Sequence, residues 1–120
     1  MTVKEFYDAV GGDYADAADR LQNDILITRF LKMITRDKNM HLLTEAVSMQ
    51  DAEQAFYAVH TLKGIALNLS LTVFAEKCSY MTERLREQKY MPEDISQMYE
   101  AVKKEYDKVA GMVKELGLKH

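Results

Sequence analysis

A stripe of apolar residues at helical spacing runs through the last quarter of the chain: Ile95, Met98, Tyr99, Val102, Tyr106, Val109, Val113 and Leu116. That period commits the segment to a long amphipathic helix, which Gly117 ends. Pro92 sits where the first turn of such a helix tolerates it, and Glu93 and Asp94 suit its positive end. A helix with one apolar face needs other elements to cover that face.

Shorter pieces of the same pattern fill the rest of the chain. Val3, Phe6, Tyr7 and Val10 make a first helix, stopped by Gly11-Gly12. Asp13 can cap a second, with Tyr14, Ala17, Ala18 and Leu21 on one side. Asn23 can cap a third, which turns Leu26, Ile27, Phe30, Leu31 and Ile34 inward. A fourth carries Leu42, Leu43, Ala46 and Val47. Asp51 caps a fifth that runs to about Leu69, with Gln54 placed as a capping-box partner. Ser70 can cap a sixth, with Phe74, Ala75, Cys78, Met81 and Leu85 inward. No strand pattern competes. The reading is an all-α, antiparallel helical bundle with additional short N-terminal helices, formed by residues 1–120 as a single domain.

Composition narrows the function. Net charge is -3, without the basic excess of a nucleic-acid binder. The longest weakly polar stretch, 64–75, is too short to cross a bilayer and contains Asn68 and Ser70, so no membrane role is expected. The first residues carry acids where a signal peptide is apolar, and the single Cys78 has no disulfide partner in the chain. These absences point to the cytoplasm.

The fifth helix carries the chemistry. On a helical wheel Ala52, Ala55, Phe56, Val59, Leu62 and Ala66 form the core face. His60 lies to one side of it, Gly64 follows one turn later almost in line, and Glu53, Tyr57 and Leu67 share that flank. A glycine inside a helix costs about 1 kcal/mol relative to alanine, so it signals a close approach. A neutral imidazole has a lone pair that can attack phosphorus. Lys63, three residues on, can offset phosphate charge. The site lacks a carboxylate cluster for a metal and a glycine-rich phosphate loop. It reads as a phosphoryl carrier, not an enzyme, with no cofactor or metal of its own.

The segment His60-Thr61-Leu62-Lys63-Gly64-Ile65-Ala66-Leu67-Asn68-Leu69 resembles the signature of histidine-containing phosphotransfer (HPt) domains, His-x-Leu-Lys-Gly with Asn-Leu-Gly further on. The resemblance covers residues 21–86 and extends loosely beyond. It implies an up-and-down four-helix bundle with His60 as phosphoacceptor, Lys63 near the phosphate and Gly64 as a notch for the partner. It implies receiver domains of response regulators or hybrid histidine kinases as partners, whose own aspartate and Mg²⁺ do the chemistry. Glu53, Tyr57 and Leu67 become docking residues, and a monomer is expected. One departure stands out: position 70 is Ser where the family usually has Gly.

The other histidines, His41 and the terminal His120, lack the Lys and Gly offsets, and Cys78 reads as core. The alternative function is an interaction-only bundle that binds receiver domains without being phosphorylated. A di-iron bundle would need Glu-x-x-His pairs, but Tyr57 and Lys38 stand at that offset from His60 and His41.

Overall fold

The computed structural model describes residues 1–117; the stop expected after Gly117 and the terminal His120 lie outside them. Among the described residues there are seven helices and no strand: α1 Val3–Val10, α2 Tyr14–Leu21, α3 Asp24–Ile34, α4 Asn39–Ser48, α5 Ala52–Asn68, α6 Thr72–Leu85 and α7 Ile95–Gly117. They form a helical bundle. α5 packs against both α4 and α6, α6 packs against α7, and α7 returns to α4 and also covers α1 and α3.

Local chemistry sets most of the boundaries. The Thr2 hydroxyl accepts the Glu5 N–H, and the Glu5 carboxylate accepts the Thr2 N–H, a full capping box for α1. Gly11 ends α1 at φ +70, a conformation that glycine adopts without steric cost. Asp13, Asn23 and Asp51 each accept a backbone N–H three residues on, as their positions predict. Gln54 makes no return bond to Asp51, so that box is half formed.

The core is built from one face of each helix. Phe6, Tyr7, Ile27, Leu31, Leu43, Val59, Leu62, Phe74, Met81, Leu85 and Val102 are fully buried. Cys78 is buried as expected, and burial pushes its thiol up to about 12, so it stays protonated and inert. Leu42 was expected inside α4 and is exposed; Met40 takes the inward place. Phe56 is only half-buried, and Ala58 joins the core of α5 instead. Met98, Tyr99 and Tyr106 are partly buried and pack against the core. The Tyr99 hydroxyl is 2.8 Å from that of Thr44, which ties α7 to α4.

Two boundary expectations fail. Pro92 lies outside α7, in the turn whose carbonyl accepts the Ile95 N–H, so the helix starts three residues later than its proline suggests. Ser70 does not cap α6. The residue before that helix is Leu71, which makes no side-chain cap. Ser70 instead adopts φ +54 and is buried, with its hydroxyl turned back towards α2.

Candidate functional site

His60 projects from the middle of α5, eight residues after its first residue, and is exposed. It sits there because Val59 and Leu62 hold the neighbouring face of the same helix in the core. No hydrogen bond reaches its ring among the described residues. Its one ring neighbour is Phe56, a turn earlier, with centroids 5.6 Å apart and planes inclined by 6°. Phe56 therefore shields one side of the imidazole and leaves its nitrogens open to a partner.

The flank expected around His60 is present. Gly64 is exposed, and a Cβ built on it would meet nothing within 4 Å. No packing among the described residues accounts for the glycine. Glu53 and Tyr57 line a groove of about 290 Å³ with Phe56 and Arg86. Lys63 and Leu67 line another, of about 360 Å³, with Ser70 and Tyr80. His60 falls between the two sets along α5. Tyr57, Leu67 and Tyr80 are each more than half exposed.

Three residues from outside the motif complete the electrostatics. The Arg86 guanidinium lies over the Phe56 ring, 5.3 Å from its centroid. It also donates to Glu83, from Nε at 3.2 Å and from the terminal nitrogen at 2.9 Å. The Arg86 hydrogen bond holds the Glu83 carboxyl below its usual range, and the charges of Arg86, Lys63 and His60 add to that pull. Glu83 thus shares one field with His60 and Lys63. Glu83 and Arg86 are three residues apart at the end of α6, and nothing in the sequence says which face of α5 they meet. The wheel puts Phe56 on the core face, whereas in the fold it is half-buried beside His60.

A second cluster fixes the end of α5. Arg20 on α2 donates to the carbonyls of Leu67 and Asn68, both at 3.0 Å, and so satisfies two of the last orphan carbonyls of the helix. It also donates to the Asp16 carboxylate and to the Ser70 hydroxyl at 2.8 Å. The Ser70 hydroxyl in turn donates to Asp16 at 2.6 Å. The buried Tyr7 hydroxyl donates to the Leu69 carbonyl at 2.7 Å. Asn68 contributes only a backbone carbonyl here.

Among the described residues, no group of three or more His, Cys, Asp or Glu side chains can hold a metal ion, and no helix is long and apolar enough to cross a membrane. His41 stands apart on α4, paired with Glu45 at 2.6 Å.

Comparison with curated proteins gives no match, and neither does comparison with solved structures. A family model does match. It covers residues 26–112, from α3 almost to the end of α7, and so includes the exposed histidine helix together with α4 and α6, which flank it. That match is to the Hpt domain, and the chain belongs to this family, whose members serve histidine phosphotransfer in two-component phosphorelays.

Proposed function

We propose that residues 1–120 act as one phosphocarrier unit, with His60 as the phosphoacceptor. The observation that carries this reading is the pairing of an exposed, unbonded imidazole with a helix-interior glycine that has open space above it. The partner is the receiver domain of a response regulator or hybrid kinase. In the transfer, the lone pair of a neutral His60 ring nitrogen forms the N–P bond as the P–O bond to the receiver aspartate breaks. The electron pair leaves with the carboxylate, and the proton on the other ring nitrogen exchanges with solvent. The receiver supplies aspartate and Mg²⁺; this chain supplies the nucleophile, its orientation and an open approach. Lys63 offsets the phosphoryl charge, which is about -1.5 to -2 at neutral pH for a phosphomonoester. Gly64 admits the receiver backbone, and Glu53, Tyr57 and Leu67 form the docking flank.

His60→Gln tests the reading against an interaction-only bundle. The side chain is exposed and unbonded, so the variant should melt within about 1–2 °C of wild type. It should accept no phosphoryl group from a phosphorylated receiver, while still binding that receiver. Undiminished labelling of the variant would sink the assignment of His60. A wild-type chain that binds receivers and takes no label would establish the interaction-only function.

A further inference from the structure

Glu83 is out of place beside a phosphorylation site. A carboxylate there opposes the charge that the site is built to receive. It is nonetheless held in position: α6 packs directly on α5, Phe56 stacks on His60, Arg86 lies over Phe56, and Glu83 grips Arg86 through two hydrogen bonds. Glu87 also acts on Arg86, more weakly than Glu83 does. Arg86 reaches the histidine's neighbourhood through the Phe56 ring, and the charges of Lys63 and His60 act on Glu83 alongside that of Arg86.

We propose that Glu83 competes with the phosphoryl group on His60 for Arg86 and Lys63, and thereby keeps phosphohistidine high enough in energy to be passed on. The inference rests on the reading of His60 as phosphoacceptor. Glu83 is a positioning residue in this account, because it acts through the two cations and on the field at the ring. The Glu83–Arg86 pair is about half exposed on both sides. Exposed pairs of this kind are worth only about 0–1 kcal/mol, so an arriving dianion can draw the guanidinium away. The carboxylate then remains as an unfavourable neighbour of the phosphoryl group, which is relieved when the group moves on. A site with two cations and no such acid would hold its phosphoryl group more tightly and release it less readily.

The test is a phosphoryl-exchange equilibrium between this chain and a receiver domain charged with acetyl phosphate. Wild type, Glu83→Gln, Glu83→Asp and Arg86→Gln are compared at low and high salt. Glu83→Gln should shift the equilibrium towards phosphohistidine by about two- to fivefold at low salt, the range of an exposed charge pair. Arg86→Gln should shift it the other way, and Glu83→Asp should stay near wild type because the charge remains. The Glu83→Gln shift should shrink at about 1 M salt, where the screening length falls to about 3 Å. An unchanged equilibrium in Glu83→Gln, a shift towards the receiver, or a shift indifferent to salt would each overturn the proposal. If wild type takes no label from any receiver, the phosphocarrier reading fails and this inference with it. If wild type is labelled and Glu83→Gln matches it, only this inference fails.

Discussion

α5 has two regions of opposite character only two turns apart. Around His60 the helix makes almost no polar contact with the rest of the chain: a stacked ring, an open glycine and a loosely held charge pair are all that surround it. At its C-terminal end the backbone carbonyls are committed. Arg20 caps two carbonyls, Tyr7 caps a third, and Ser70 is locked between Arg20 and Asp16. Gly12 sits so close that its own N–H bonds Tyr7 and the next residue's N–H bonds the Ser70 carbonyl. The contrast assigns each region its job. Transfer needs a nucleophile that a large partner can reach, and that excludes neighbours. A helix that presents such a surface must be fixed elsewhere, and here it is fixed at the end where the chain reverses into α6.

Adding bulk at each region should separate them most clearly. At Gly12 a Cβ would stand 2.7 Å from the Tyr7 ring and 3.0 Å from the Ser70 carbonyl oxygen. Tyr7 is fully buried and cannot swing aside. Gly12→Ala should therefore destabilise the fold by about 1–3 kcal/mol, the cost of overpacking, and lower the melting temperature by several degrees. An unchanged melt would show that the junction is looser than its contacts imply, and the contrast would break.

The same kind of change at Gly64 should have the opposite sign. Among the described residues a Cβ there would meet nothing within 4 Å, and glutamine favours a helix interior over glycine by roughly 0.5 kcal/mol. Gly64→Gln should melt at or slightly above wild type, yet bind a receiver domain more weakly and accept phosphoryl groups more slowly. Calorimetry and a receiver titration on one protein decide it. Full-strength binding would remove Gly64 from the docking surface, and a lowered melt would place it against another helix.

The smallest net effect is expected at Ser70. A non-glycine residue at positive φ costs about 1–2 kcal/mol, which Ser70→Gly would relieve. The same change deletes two hydrogen bonds, to Asp16 and from Arg20, and frees the unfolded chain. These oppose each other, so the melting temperature should move by only a few degrees. The titration of Asp16 carries the clearer signal. The Ser70 bond is the main reason that its carboxyl lies below its usual value, with the Arg20 charge and hydrogen bond adding to it. A depressed carboxyl contributes stability that is present above its unfolded value and lost as pH falls through its folded one. In Ser70→Gly the Asp16 titration should move up towards the ordinary range, and stability should become less sensitive to acid. An unmoved Asp16 titration, followed by NMR, would mean that Arg20 alone holds it.

The site was legible at different depths for different residues. His60, Lys63 and Gly64 announce themselves because they sit off the apolar stripe of their own helix, and a helical period is a property of consecutive residues. The exposed, unpacked surroundings of Gly64 follow from that same period. Phe56 was misplaced because a wheel has no sharp edge: a residue at the margin of the stripe is buried or exposed according to what packs beside it. Arg86 lies about a fifth of the chain away from His60, and no periodicity along the sequence links the two.

Sequence alone thus determined the all-helical bundle, five of the seven helix starts to within a residue, and the flank on which His60 stands. These depend on periodicity, capping chemistry and the backbone freedom of glycine, all of which act over a few residues. Tertiary structure decided how the end of α5 is held and what surrounds its histidine. Ser70 has the chemistry of a helix cap, and a local reading gives it that role. Once α2 is packed on the end of α5, the Ser70 hydroxyl has Asp16 and Arg20 within reach, and two bonds to partners about fifty residues away in sequence outweigh one cap on its own helix. The acid beside the histidine has the same origin: Glu83 meets the field of His60 and Lys63 only because α6 folds back along α5, and no spacing along the chain encodes that meeting.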